Sequence, residues 1–103
     1  MNPPPLQLDG ADVLMWLTID ESVEYTGKTT MYFGGKLIDS PDGFALCQYS
    51  HDGNKPSDFL VFYCDKSWNV MAAAGYACVN KAKESIERGF SGTKELWGPC
   101  KLT

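Results

Sequence analysis

The sequence predicts an α+β fold: an antiparallel meander of about five strands with one C-terminal helix packed on one face of the sheet. Two observations predict it. Short apolar runs alternate with turn signals containing Gly and Pro through most of the chain, and a single helical period follows them. With 103 residues, the chain is expected to form one domain, residues 1–103, in which the Pro-rich residues 1–8 are a poorly ordered lead-in.

Turn chemistry separates the predicted strands. Gly34 and Gly35 supply the positive φ that a two-residue hairpin requires, and residues 40–43 (Ser-Pro-Asp-Gly) form another turn. Two strands, 13–19 and 59–64, are apolar at both odd and even positions, which indicates burial on both faces of the sheet. The predicted strands cover 13–19, 29–33, 36–38, 44–49, 58–64 and 68–74.

The chain changes to a helical period near its C-terminal end. Val79, Ala82, Ile86 and Phe90 are apolar at helical spacing, and the residues between them are mostly charged or polar. This pattern predicts an amphipathic helix over 78–89 whose apolar stripe packs on the sheet.

The chain is acidic, with 9 Lys and Arg residues against 13 Asp and Glu residues and a net charge of −4. Binding to a phosphate backbone or to an anionic membrane surface requires clustered Lys and Arg, so nucleic acid and membrane are both disfavoured as partners. The first residues lack the features of a signal peptide, and no later apolar run is long enough to cross a bilayer. We therefore expect a cytoplasmic protein.

The four cysteines, Cys47, Cys64, Cys78 and Cys100, are expected to be reduced structural thiols. None of them forms a Cys-x-x-Cys pair, and His51 is the one histidine of the chain, so the spacing of a zinc or redox site is missing. Cys47 and Cys64 lie in apolar strands, where a cysteine acts as a small hydrophobic residue. No metal ion and no cofactor are predicted.

The turn after the predicted strand 58–64 is the most distinctive segment. In one interpretation it is a β-hairpin in which Asp65 caps the turn and the ring of Trp68 enters the core. In the other it is the lip of a pocket with an indole floor and with polar Asp65 and Asn69. His51 lies in a polar loop over 51–57 and is expected to be exposed, so no catalytic residue is predicted. The candidate ligand-binding residues are Trp16, Phe62, Asp65, Trp68 and Asn69.

The same region carries a resemblance to a protein family. Residues 59–65 end in Cys-Asp, residues 68–70 read Trp-Asn-Val, and residues 79–83 read Val-Asn-Lys-Ala-Lys. This series resembles a group of small uncharacterised bacterial proteins, some of the mobile gene-cassette (integron) type, in which a Cys-Asp-x-x-Trp-Asn-Val hairpin precedes a helix. Cys78 departs from the pattern, which has Ser or Thr at the helix start. The resemblance implies a bacterial origin, and the group has no known activity that it could imply for this chain.

The sequence leaves three functions open. We expect a non-enzymatic binding or interaction protein that self-associates through its sheet as a homodimer. One helix is about 10–12 Å wide, whereas five strands at about 4.8 Å spacing span roughly 24 Å, so apolar sheet would remain uncovered. The alternative is a domain that binds a small apolar ligand, or a weak enzyme, with an aromatic pocket between helix and sheet. The third is an inhibitor or antitoxin whose acidic surface binds a basic protein partner.

Overall fold

The structure is a computed structural model and describes residues 1–49 and 59–99. The predicted loop with His51, and Cys100, lie outside the described residues. The α+β prediction is confirmed: a curled antiparallel sheet in a meander-like order carries one packed helix. The elements are β1 Gln7–Leu8, β2 Ala11–Thr18, β3 Glu24–Tyr25, β4 Tyr32–Phe33, β5 Lys36–Leu37, β6 Gly43–Gln48, β7 Phe59–Cys64, β8 Val70–Tyr76, α1 Val79–Gly89, β9 Phe90–Ser91 and β10 Gly98–Pro99.

The main sheet has the strand order β1-β2-β6-β7-β8, and every pair is antiparallel. The short β10 also pairs with β2, beyond β1 along the same edge. Consecutive pairing of β6, β7 and β8 is the predicted meander. Among residues 1–49 and 59–99, β8 therefore ends the sheet on one side, while β1 and β10 end it on the other.

The segment between β2 and β6 leaves the main sheet, which corrects two of the predicted strands. The predicted strands 29–33 and 36–38 are reduced to β4 and β5, which pair only with each other in the described part of the chain. Gly34 and Gly35 make the turn between them with φ values of 60° and 83°, as the two-glycine signal predicts.

Helix α1 forms where the apolar period predicts it and packs on β7 and β8. Ala82 and Ile86 are buried on its inner side. Its C-terminal carbonyls are satisfied from a distant segment, because Thr26 donates its backbone N–H to Gly89 O at 2.9 Å and its hydroxyl to Arg88 O at 2.6 Å. β3 continues this contact by pairing with β9.

The two faces of the main sheet carry separate hydrophobic cores. The first face, under α1, holds a core whose buried members are Leu17, Ile38, Phe44, Leu46, Val61, Tyr63, Ala82, Ile86, Phe90 and Trp97. The second face holds a core whose buried members are Leu8, Ala11, Val13, Ala45, Cys47, Phe62, Cys64 and Trp68. A bulge between Val13 and Met15 leaves Leu14 exposed.

Residues 61–64 of β7 are all buried, so the prediction of burial on both faces is confirmed for this strand. A single chain covers both of its sides. Residues 1–8 and Trp68 cover more of the second face than the comparison of helix and sheet widths suggests, and the homodimer stays a prediction.

Residues 1–8, for which the sequence predicts a poorly ordered lead-in, contact the second face in the structure. Pro4 and Leu8 are buried, and the carbonyl of Asn2 accepts a hydrogen bond of 2.8 Å from the indole of Trp68. Leu6 O accepts a further bond of 2.9 Å from the backbone N–H of Val13. The segment thus runs along the sheet and covers it.

Candidate functional site

The turn between β7 and β8 is a hairpin built around one carboxylate. Asp65 Oδ1 accepts the backbone N–H groups of Ser67 and Asn69, each at 2.9 Å, and Oδ2 accepts the side-chain amide of Asn69 at 3.0 Å. These hydrogen bonds, led by the backbone N–H of Asn69, hold the pKa of Asp65 below its usual value. Both predicted polar site residues therefore stabilise the turn.

Trp68 occupies a backbone conformation that a non-glycine residue adopts only with strain. Its φ is 62°, which costs roughly 1–2 kcal/mol for an L-residue. The Asp65 turn holds it there, since Trp68 donates its backbone N–H to Asp65 O at 3.0 Å. The ring lies against Gly43, where an added Cβ would come within 2.9 Å of the indole. The strained backbone thus directs the indole onto the second face.

The three predicted aromatic site residues meet, but not where the sequence predicts. Trp16 and Trp68 contact each other at right angles with ring centroids 5.9 Å apart, and Phe62 is buried in the same core. This core lies on the second face, away from α1, so the predicted location between helix and sheet is wrong. Successive side chains of β7 point to opposite faces of the sheet, so Val61 and Tyr63 face the helix and Phe62 points to the second face.

The aromatic cluster is also largely filled. Phe62 is 3% exposed and Trp68 is 6% exposed, because Leu8, Ala11 and Val13 pack in the same core. The geometry of the turn that contains Asp65 and Trp68 therefore agrees better with a β-hairpin than with a pocket whose floor is the indole of Trp68.

The described residues carry little reactive chemistry. Burial, and next the charge of Asp65, raise the pKa of the Cys64 thiol to about 12. Cys47 is equally buried and Cys78 is half-buried. Within 1–49 and 59–99, no group of three or more His, Cys, Asp or Glu side chains could hold a metal ion.

The far edge of β8 is a feature that the sequence analysis missed. In the described part of the chain, no strand pairs with β8 on the side away from β7. Residues 70–76 read Val-Met-Ala-Ala-Ala-Gly-Tyr, with no charge and no proline, and Ala73 and Gly75 are exposed. Edge strands are usually protected by charge, proline or a cover. In the sequence, the lack of charged residues over 70–76 was the signal that could have pointed to this edge.

An apolar hairpin lies beside one end of this edge. β4 contacts β8, and a groove of about 230 Å³ runs between them, lined by Phe33, Leu37 and Met71 among others. Tyr32 is 60% exposed and Phe33 is 56% exposed, which is high for aromatic side chains. We call the far edge of β8 and the exposed side chains of this hairpin the β8 edge surface.

Comparisons with known proteins add no relative. No family model, no curated protein and no solved structure matches the chain. The resemblance to small bacterial proteins with a Cys-Asp-x-x-Trp-Asn-Val hairpin therefore stays an expectation. In the described residues, no helix is both long and apolar enough to cross a membrane.

Proposed function

We propose that the protein is a non-enzymatic interaction protein that self-associates by antiparallel pairing of β8 with β8 of a second copy. The observation that supports this proposal is the long, uncharged far edge of β8. A strand edge offers a row of backbone N–H and C=O groups, and a second strand satisfies them by extending the sheet. A two-fold axis at the middle of β8 would join two main sheets into one.

Charge restricts where two copies of the chain can meet. Each chain carries a net charge of −4, so two copies repel each other over most surfaces. The segment 70–76 is a stretch where they can approach without placing like charges together. Its central residues, Ala72, Ala73 and Ala74, are small and do not obstruct pairing.

The hairpin supplies the apolar area that strand pairing alone lacks. A stable interface buries about 1,200–2,000 Å² in total, more than two paired strands provide. In an antiparallel pair, the hairpin beside Met71 of one copy comes next to the C-terminal end of β8 in the other. Burial of Tyr32 and Phe33 there would contribute about 25 cal/mol for each Å² removed from water.

Light scattering behind a sizing column tests this proposal. We expect the native protein to have the mass of two chains at micromolar concentration. Ala73→Lys places two like charges near the two-fold axis, and we expect it to give the mass of one chain. Leu14→Lys is the matched control, because Leu14 is exposed on the opposite edge of the sheet.

Two results would contradict the proposal. A native protein with the mass of one chain at all accessible concentrations would exclude self-association. A dimer that survives Ala73→Lys but is lost in Leu14→Lys would place the interface at the edge formed by β1, β2 and β10 instead. Far-UV circular dichroism on both variants identifies any that has failed to fold.

Two further expectations belong to this proposal. We place the protein in the cytoplasm, supported by the free thiols Cys47, Cys64 and Cys78, which a reducing compartment preserves. Binding of a small apolar ligand between Trp16, Phe62 and Trp68 has less support, because Phe62 and Trp68 are already covered by the chain itself.

A further inference from the structure

We infer that the surface formed by Trp16 and Trp68 is a binding site for extended proline-rich peptides of other proteins, which residues 2–5 of this chain occupy in cis. This site lies on the second face and is separate from the β8 edge surface. The inference does not depend on self-association.

The occupying segment has the chemistry of a polyproline ligand. Residues 2–5 read Asn-Pro-Pro-Pro, and each proline ring fixes its own φ near −65°. Each residue that precedes a proline is restricted to extended conformations, so the whole segment is held extended before it binds. Pro4 is buried while its neighbours Pro3 and Pro5 are exposed. One proline is thus buried and the other two are exposed.

The receiving surface has the features that such ligands need. Proline-rich segments lack many backbone N–H groups, so their recognition relies on aromatic surfaces and on donors to their carbonyl oxygens. Trp68 donates its indole N–H to Asn2 O at 2.8 Å, and Trp16 stands perpendicular to it. The strained backbone of Trp68 is explained if the indole must point at this carbonyl.

The indole of Trp68 would form the same hydrogen bond with a backbone carbonyl of this chain or of another protein. Another protein with an Asn-Pro-Pro-Pro-like segment would present the same carbonyl to Trp68, followed by the same prolines. The cis segment competes with it, because a short tether gives an effective concentration in the millimolar range. Trans binding is therefore weak in the native chain and strengthens when the cis segment is displaced.

Fluorescence anisotropy of a fluorescein-labelled peptide with the sequence of residues 2–7, Asn-Pro-Pro-Pro-Leu-Gln, tests the inference on the full chain. We expect Pro4→Asp, which places a charge in the buried position, to bind the peptide at least tenfold more tightly than the native chain. Pro4→Ala is the milder second variant if Pro4→Asp fails to fold. The peptide Asn-Ala-Ala-Ala-Leu-Gln should not bind either variant.

Tryptophan variants test the donor. In the Pro4→Ala background, Trp68→Phe should lower peptide affinity at least tenfold. Trp97→Phe is the matched control, because the indole N–H of Trp97 is buried and has no hydrogen-bond partner within 1–49 and 59–99. The inference is overturned if neither Pro4 variant binds more tightly than the native chain. It is also overturned if the alanine peptide binds equally well, or if Trp68→Phe and Trp97→Phe have the same effect.

Discussion

Cys47 and Cys64 lie in the second core, where neither side chain is accessible to solvent. Alkylating reagents attack the thiolate, and burial keeps Cys64 protonated by raising its pKa to about 12. At pH 8 we expect half-buried Cys78 to be labelled by iodoacetamide before Cys47 and Cys64, which should react only after denaturation. Peptide mass spectrometry assigns the sites. Rapid labelling of Cys64 in the folded protein would mean that the second face is open.

The same burial predicts a loss of stability in alkali. The unfolded chain releases the Cys64 proton near the ordinary pKa of 9.0, whereas the folded chain holds it to about 12. A pKa raised by folding gives stability that is complete below pH 9.0 and falls as the pH rises toward 12. Denaturant unfolding across this range should show the decline, and Cys64→Ala should make it shallower. An unchanged slope in Cys64→Ala would assign the effect to another group, such as Tyr63.

Cys78 occupies the N-cap of α1 without acting as a cap. Its backbone is extended, with φ −153° and ψ 164°, and its side chain makes no capping hydrogen bond. A serine there can accept one of the free N–H groups of the first turn, which stabilises a protein by about 0.5–2 kcal/mol relative to alanine. We expect Cys78→Ser to unfold at higher denaturant than Cys78→Ala. Equal midpoints would mean that the start of α1 is satisfied in another way.

At the scale of the element, α1 depends on the side that faces the sheet. Ile86 is 1% exposed in the first core, and Ile86→Ala should lower the free energy of unfolding by about 2–5 kcal/mol because it leaves a cavity. Lys81 is exposed on the same helix, so Lys81→Ala should change it by less than about 0.5 kcal/mol. Equal effects in urea unfolding would contradict the packing of α1.

The sequence predicts elements well where a local pattern specifies them. The spacing of Val79, Ala82 and Ile86 locates α1, and the paired glycines locate the turn of the β4–β5 hairpin. It fails where the partner is distant in the chain. The bond from Trp68 to Asn2 joins residues 66 positions apart, and the bond from Thr26 to Arg88 joins residues 62 apart. The spacing of apolar residues along the sequence does not indicate such distant contacts.

The aromatic site shows the same limit. The sequence groups Trp16, Phe62 and Trp68 correctly, because their strands are apolar and close in the meander. It assigns the wrong face, because the alternation along β7 separates Phe62 from Val61 and Tyr63 but does not say which of these two sets the helix covers. The sequence shows that residues 70–76 are uncharged, but the strand order of the described residues is needed to place β8 at the end of the sheet.

At the scale of the whole molecule, the described residues of one chain place a hydrophobic core on each face of the main sheet and leave the far edge of β8 without a paired strand. The proposed self-association therefore relies on backbone groups of β8 and on the exposed hairpin, not on a large uncovered face. This arrangement predicts that the backbone amides in the middle of β8 are more protected from hydrogen exchange in the dimer than in the monomer. The amides of the interior strands should be equally protected in both.

Amide hydrogen exchange at low and high protein concentration tests this claim most directly. The N–H groups of β8 that face away from β7 should exchange more slowly as the concentration rises through the dimer dissociation constant. Those of β6, which is paired on both sides, should not change. Exchange in β8 that is independent of concentration, or protection that rises only in β1 and β2, would contradict pairing through the β8 edge surface.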